Sequence, residues 1–331
     1  DSVSEIKGMP ERWRRHIRGE LFPDLSGVDV VSGDLYLWVP KGRRLKAIFS
    51  RLGVQILESK PIELTKEEYP EWLKGSAEIA YRVVDPVVET RSLLSEMAKP
   101  NLDRIVYSNE EGMEVGFDGS SGRVSSVYLP DKDLRIHPES IILTAGRGNR
   151  DLSRRMGIGR EVMQERPLRQ VIVRGDNLPI AYGHCIDISR KAVEKFPTLA
   201  TITTHPDPKT GGRVWNIGGK MAEEGVSQNQ EELFENARKE LPRILAGVDF
   251  SGVSLGYFDT TRAEIHTESG DRPKGSAIYN EGNVYVAFPT KLSLAPSLAD
   301  RLEAMLVPPK VDKKYSEGVS NGEMRVADYP W

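Results

Sequence analysis

Hydrophobic and polar positions switch between two spacings along this chain, and each switch marks an element. Residues 9–21 (MPERWRRHIRGEL) read as a helix. Residues 34–39 (DLYLWV) alternate as a half-buried strand does. Residues 43–52 set Leu45, Ile48, Phe49 and Leu52 on one face of an amphipathic helix, and 54–57 forms a short strand. Thr65 opens a further helix, with acids in its first turn (TKEEYPEW). This opening part is an α+β block.

The alternation continues. Residues 81–84 are strand-like, Asp85-Pro86 punctuates, and 89–97 is helical. Residues 105–107, 113–117 and 124–129 read as strands, the last two joined by a turn over 118–122. Residues 140–144 (SIILT) form a continuous apolar run, the kind buried on both faces of a parallel sheet, and end in Ala145-Gly146-Arg147-Gly148. Residues 168–174 are a strand. Residues 199–203 and 214–217 pair as a hairpin around the turn 206–212 (PDPKTGG), and Gly218-Gly219-Lys220 follows. A long helix covers 228–245 and ends near Pro242. Residues 253–258 are a strand, 260–275 a polar segment and 307–331 an extended tail. Repeats and low-complexity segments are absent.

The stretch 282–305 organises the rest. Its apolar run 284–288 is a buried strand, and a bend at Pro289-Thr290-Lys291 follows. Ala295, Leu298, Ala299, Leu302, Met305 and Leu306 then recur along one helical face, with Ser293 as the expected cap and Pro296 in the first turn. A strand thus feeds a helix whose unpaired N–H groups point at the bend. Such a terminus attracts an anion or an electron-rich ring edge, and Lys291 adds a cation there. The plainer alternative is a strand-helix joint with a solvated lysine.

Composition narrows the picture. The 331 residues suffice for two ordinary domains or one interleaved one. With 38% hydrophobic and 29% charged residues the chain is polar, and a net charge of −3, mixed along its length, leaves no electrostatic footprint for nucleic acid. The short basic cluster 12–18 (RWRRHIR) reads as an exposed helix face, with a membrane or partner contact as the lesser alternative. The single cysteine, Cys185, excludes a disulfide framework, a zinc cluster or an iron–sulfur site within this chain, and reads as a small buried residue. His184, His205 and His266 lack metal-type spacing and are expected to be structural or exposed. No run approaches the roughly 20 apolar residues of a membrane span. The first residues, DSVSEIKGM, lack a signal-peptide layout and an initiator methionine, so residues upstream are expected.

A dinucleotide fingerprint, G-x-G-x-x-G after a first strand, has no full copy here. Gly146-Arg147-Gly148 follows a good strand, but Asp151 stands where the third glycine belongs. The order of features along the chain says more. Residues 141–146 match a hydrophobic strand ending in A-A-G; Arg166-Pro167-Leu168-Arg169-Gln170 match an R-P-v-R-G-Q strand; 217–225 match i-G-G-T-x-E-x-x-G, with Lys220 in place of the usual threonine or aromatic; and 283–296 match a terminal n-l-y-v-a-x-G-h-x-x-x-G-x-x-L-A-P. In these motifs the chain resembles the D-amino-acid oxidase/glycine oxidase superfamily of flavoproteins, which includes sarcosine oxidases and dye-linked L-proline dehydrogenases. The resemblance covers about residues 32–306. It departs at the amino-terminal βαβ unit, which is absent from this chain, and at the glycines of the terminal bend.

The resemblance implies an α/β (α+β) fold in which an FAD-binding, Rossmann-like domain (85–162 and 271–306, partial) interleaves with a substrate domain (1–84 and 163–270) on a large antiparallel or mixed sheet, with 307–331 as tail. It implies FAD as cofactor, contacted by Ala145, Gly146, Phe288, Pro289, Thr290, Lys291, Leu292 and Ser293. Lys291 would also reach a substrate carboxylate, Arg262 would pair with that carboxylate, and Lys220 would face the substrate cavity; Tyr257 and Tyr182 are weaker candidates. Arg262 has a plainer reading as a surface arginine bonded to Asp259 or Glu264. The implied activity is FAD-dependent oxidation of an amino acid or secondary amine, proline- or sarcosine-like, by hydride transfer to flavin N5, by a dehydrogenase or oxidase that passes electrons to a dye, quinone or oxygen. The alternatives are a flavin-dependent 2-hydroxy acid or glycerol phosphate dehydrogenase and a non-catalytic subunit of the same fold. A missing segment or a second polypeptide would complete the FAD site. The expected location is cytoplasmic, with peripheral membrane attachment as the alternative.

Overall fold

A computed structural model describes residues 8–42, 61–109, 111–186, 198–307 and 325–331. The expected helix at 43–52 and strand at 54–57 lie outside these residues. The chain divides into two compact units. One comprises Asp1–Val28, Thr90–Arg166 and Arg262–Ala327; the other comprises Asp29–Glu89, Pro167–Thr261 and Asp328–Trp331.

The second unit is built on a mixed sheet of eight strands, in the order Ser254–Ile265, Met163–Arg174, Arg213–Gly218, Thr198–Pro206, Tyr182–Ile186, Leu35–Pro40, Ala77–Val83 and Ile62–Glu63. Tyr182–Ile186 runs parallel to Leu35–Pro40, while its other neighbour is antiparallel. Period-two alternation sends Trp38, Val173, Ala200, Ile202, Trp215 and Ile217 to one face, where all are fully buried. Leu233, Ala237 and Leu241 of the helix Gln230–Ile244 close that core. Removing a side chain of this size from water is worth roughly 1.5–3 kcal/mol, so this face is the main stabiliser of the unit. Two buried indoles find acceptors: Trp38 Nε1 donates to the Ile244 carbonyl at 3.0 Å and Trp215 Nε1 to that of Pro179 at 2.8 Å. The helix starts at a capping box, in which Glu232 N donates to Asn229 Oδ1 and Asn229 N to Glu232 Oε2. Cys185 is buried in this core, as expected of a small apolar residue.

The first unit holds a three-stranded sheet, Ala277–Glu281, Val284–Phe288 and Ile141–Leu143, in that order. The first pair is antiparallel and the second parallel. All five residues of Val284–Phe288 are buried. Val286 and Phe288 pack with Val124, Leu143 and Met163, while Tyr285 and Ala287 pack against Leu298 and Leu302 of the helix Ala295–Glu303. A second sheet, Glu114–Phe117, Val124–Leu129 and Leu134–Ile136, is tied to the first by buried Asn283. Asn283 Oδ1 accepts from Val124 N at 3.0 Å, and its Nδ2 donates to the Val124 carbonyl at 2.9 Å.

Several expectations are corrected. The helix expected from Thr65 is broken into two 3-10 turns, Lys66–Glu68 and Glu71–Leu73, although a capping box is present at the first; Pro70 disfavours helical backbone at Tyr69 and separates them. Residues 105–107 form no strand. Ile141–Leu143 is parallel but not buried on both faces: it is the edge of its sheet, and Ile142 is 39% exposed. The polar segment after 258 continues as strand to Ile265, its β-branched threonines Thr260 and Thr261 suiting a pleated surface. The tail does not end in solvent, since Trp331 is buried against Ile172 and Val214. The basic cluster lies on the helix Met9–Ile17, and its charges are met locally: Arg12 pairs with Asp300, Arg14 and Arg18 with Glu11, Arg15 and Arg18 with Glu20. Among the described residues no helix is long and apolar enough to cross a membrane.

Candidate functional site

Strand Val284–Phe288 and strand Ile141–Leu143 run side by side in the same direction, with Val284 opposite Ile141 and Val286 opposite Leu143. Their carboxyl ends therefore emerge at one edge, one leading to Ala145-Gly146 and the other to Pro289-Thr290-Lys291. In open α/β sheets this edge is where ligands bind.

The bend after Phe288 is tight. Lys291 N donates to the Pro289 carbonyl at 2.6 Å, which closes a three-residue turn around Thr290. Thr290 sits at φ +63°, the form of γ-turn that carries strain. Its hydroxyl donates to the Gly275 carbonyl at 2.8 Å and holds it there. A 3-10 turn, Leu292–Leu294, then leads into the helix Ala295–Glu303, with Pro296 in its first turn. Ser293 is consequently not the cap that the sequence suggests. It lies inside the 3-10 turn, and its carbonyl accepts from Trp13 Nε1 at 3.0 Å. Lys291 is half-buried at the head of that turn. Phe288 turns its ring into the core, at 2% exposure, so only its backbone borders the edge. Of the apolar stripe expected on the last helix, Leu298 and Leu302 are buried, whereas Ala299 faces solvent and Met305 lies beyond the helix end.

The companion loop has the character of a ligand cradle. Gly146 has φ +56°, and a side chain there would meet nothing. Asn149 is fully buried, and its Oδ1 accepts from Ala145 N at 2.7 Å. Its Nδ2 finds no acceptor among the described residues, nor does the buried Ser153 hydroxyl find a partner. A buried amide donor left unpaired beside a glycine turn is a place for an acceptor-rich ligand. Outside it, Arg147 and Arg150 both pair with Glu165, and Arg150 also approaches Glu161.

Ala145, Gly146 and the bend 288–293 are thus brought to one sheet edge. The other anticipated residues lie on other elements. Arg262 lies in strand Ser254–Ile265, half-buried. Of the two carboxylates named as its plain partners, Asp259 is held by Arg169 at 2.7 Å and buried Glu264 by Arg166 at 2.8 Å. The Arg169 guanidinium holds the Asp259 carboxyl below its ordinary range. Lys220 heads the helix Lys220–Gly225 and pairs with Glu224 at 3.3 Å, in a polar groove with Asn236, Glu240 and Arg243. Tyr182 is buried, and Tyr257 lies under the Arg169 guanidinium. His184 bonds Thr201, His205 bonds Thr203, and His266 is exposed; the described residues hold no metal-binding cluster. Sequence reasoning missed Trp13, Asn149 and Asn283. Only Asn149 carried a signal, an amide directly after a glycine-rich turn.

The fold and this edge define a class. The chain belongs to the family of FAD-dependent oxidoreductases. It is 31% identical over 304 residues to the probable FAD-dependent oxidoreductase PA4991 of Pseudomonas aeruginosa, a match covering 91% of this chain and 74% of that protein. Against the crystal structure of PA4991 the TM-score is 0.73 at 29% identity, over 92% of this chain and 77% of the other. L-Proline dehydrogenase from P. horikoshii (TM-score 0.58, 13% identity, 93% and 80% covered) and glycine oxidase from Bacillus cereus (0.52, 14%, 94% and 84%) share the fold. No family model matches the chain. The cofactor is FAD. The residues present fit it: the unpaired Asn149 amide and the open space at Gly146 suit a ligand dense in hydroxyl, carbonyl and phosphate oxygens.

Proposed function

We propose that this protein oxidises an amino acid or secondary amine, proline- or sarcosine-like, with FAD seated at the edge formed by Ala145, Gly146 and the bend 288–293. The observation that carries this reading is the pairing of a strained, amide-lined bend with the unpaired Asn149 donor at the ends of two parallel strands. Bound there, FAD supplies the two-electron acceptor chemistry, with a dye, quinone or oxygen as final acceptor. The chain supplies orientation and a fixed positive field. In this proposal the Leu292 N–H and the Lys291 ammonium hold negative charge beside the cofactor. Lys291 and Arg262 are the cations for the substrate carboxylate, Arg262 through a bidentate fork. Lys220 is left to its ion pair with Glu224. The uncovered edge of Ile141–Leu143, with Ile142 exposed, is where a further segment or a second polypeptide would complete the FAD site.

The test is anaerobic mixing of the yellow, flavin-loaded protein with L-proline, sarcosine, lactate or glycerol 3-phosphate, followed by visible absorbance. Bleaching by proline or sarcosine is expected. Bleaching by the hydroxylated compounds alone, or a protein that stays colourless with added FAD, would overturn the proposal.

A further inference from the structure

Two helices of the second unit, Lys220–Gly225 and Gln230–Ile244, leave a groove between them. Lys220 and Glu224 form one wall, and Asn236, Glu240 and Arg243 form the other. Helical spacing accounts for both walls. Positions 220 and 224 stand one turn apart, and 236, 240 and 243 recur at i, i+4 and i+7 beside the buried stripe of Leu233, Ala237 and Leu241. The floor is apolar, made by Leu199 and the edge of buried Ile244. The groove holds about 250 Å³. Sites for drug-sized ligands run to roughly 300–1,000 Å³, so this one suits a smaller molecule.

Each wall settles its charges within its own helix. Lys220 Nζ lies 3.3 Å from Glu224 Oε1, and Arg243 Nη2 lies 2.6 Å from Glu240 Oε2. Among the described residues no ion pair crosses the groove, so its facing walls present two cations and two carboxylates with no net charge. Lys220, Glu224 and Arg243 are about half exposed, and exposed pairs of this kind contribute little to stability. A ligand therefore shares or opens them at small cost. A plain anion placed here meets both carboxylates, and a plain cation meets both bases. A zwitterion avoids either repulsion: its carboxylate finds Lys220 and Arg243, its ammonium finds Glu224 and Glu240, and the Asn236 amide can serve either group. The floor of Leu199 and Ile244 then covers a hydrocarbon side chain.

We infer that this groove is a binding site for a free, zwitterionic α-amino acid with an apolar side chain, its carboxylate held by Lys220 and Arg243 and its ammonium by Glu224 and Glu240. The site lies wholly within the second unit. It is independent of the oxidation proposed above, which uses none of these residues.

The test is calorimetric titration of the flavin-loaded full chain with L-leucine and with two analogues that each carry one of its charges: isocaproate, which lacks the ammonium, and isoamylamine, which lacks the carboxylate. L-Leucine is expected to bind at least about tenfold more tightly than either, because each analogue forfeits one set of charge-assisted hydrogen bonds. Arg243→Met should weaken L-leucine roughly tenfold and leave isoamylamine unchanged. Glu240→Gln should weaken L-leucine by a similar factor without weakening isocaproate. Thermal melting checks that each variant folds; where one does not, the other variant and the wild-type ranking decide. Absence of L-leucine binding, equal binding of the three ligands by wild type, or folded variants that keep wild-type affinity for L-leucine would overturn the inference. Failure of every amine to bleach the flavin would remove the proposed reaction and leave this site standing.

Discussion

Lys291 reaches back across Thr290 to the carbonyl of Pro289, a 2.6 Å hydrogen bond that folds the chain between its last strand and its last helix. The turn places a β-branched residue at φ +63°, where glycine would be at ease. The Thr290 hydroxyl offsets part of that strain through Gly275. Thr290→Ala, which keeps the strain and deletes the bond, should destabilise the protein by about 1 kcal/mol. Thr290→Gly, which deletes both, should be close to neutral. Urea denaturation of the two variants checks this, and equal losses would show that the turn is unstrained.

Trp13 secures the same segment from the other end of the chain, through its bond to the Ser293 carbonyl. Trp13→Phe keeps most of the packing and loses the donor, for an expected cost of about 0.5–1.5 kcal/mol. Because the carbonyl belongs to the bend proposed to line the cofactor, FAD should also be released more readily. Flavin retained after gel filtration, compared with wild type, measures that coupling.

Lys291 is the cation that the proposed function relies on most. Lys291→Met preserves the aliphatic stem and removes the charge. A loss of roughly 10²-fold in kcat/KM is expected, the scale for removing one preorganised electrostatic group. The flavin reduction potential should fall as well, since negative charge on the reduced cofactor loses its partner. An unchanged potential would assign Lys291 to solvent.

His205 lies between Thr203 and the rings of Tyr329 and Trp331, with Glu89 nearby through its bond to the Tyr329 hydroxyl. Burial lowers the His205 pKa, and Glu89 opposes that shift only in part. A depressed histidine pKa means that the unfolded chain takes up the proton first. The stability tied to neutral His205 is therefore complete above the unfolded value of about 6.5 and declines as pH falls from there toward the lower folded value. Melting temperatures measured from neutral pH down to about pH 5 should fall less steeply in His205→Gln than in wild type. Parallel curves would place the titration elsewhere.

Much of the fold was legible because its strands obey a period of two against one buried face. The hairpin built from Thr198–Pro206 and Arg213–Gly218 has alternating apolar residues and a Pro/Asp/Gly turn between them, signals wholly local to the sequence. The run Val284–Phe288 was equally plain. Three other features were hidden because they depend on distant partners. Trp331 ends a polar stretch and is buried only because Ile172 and Val214 await it. The positive φ of Thr290 is not signalled by residue type, and the hydroxyl that offsets its strain bonds a carbonyl fifteen positions away. Gln170 and Asn216, whose acceptors find no donor among the described residues, look like ordinary strand polar residues until register sets them on one face. Local pattern thus located the edge where two parallel strands end, while these long-range relationships were visible only in three dimensions.

Asn283 is separated from Val124 by 159 positions, yet it supplies both bonds that complete Val124's backbone. During synthesis the hairpin of Glu114–Phe117 and Val124–Leu129 leaves the ribosome long before that asparagine exists. Val124 must wait, its amide and carbonyl open to water or to a wrong strand, until the final third of the chain arrives. Maturation of this unit is accordingly a late event, and a ribosome stalled before residue 283 would carry a nascent chain exposed to association with its neighbours.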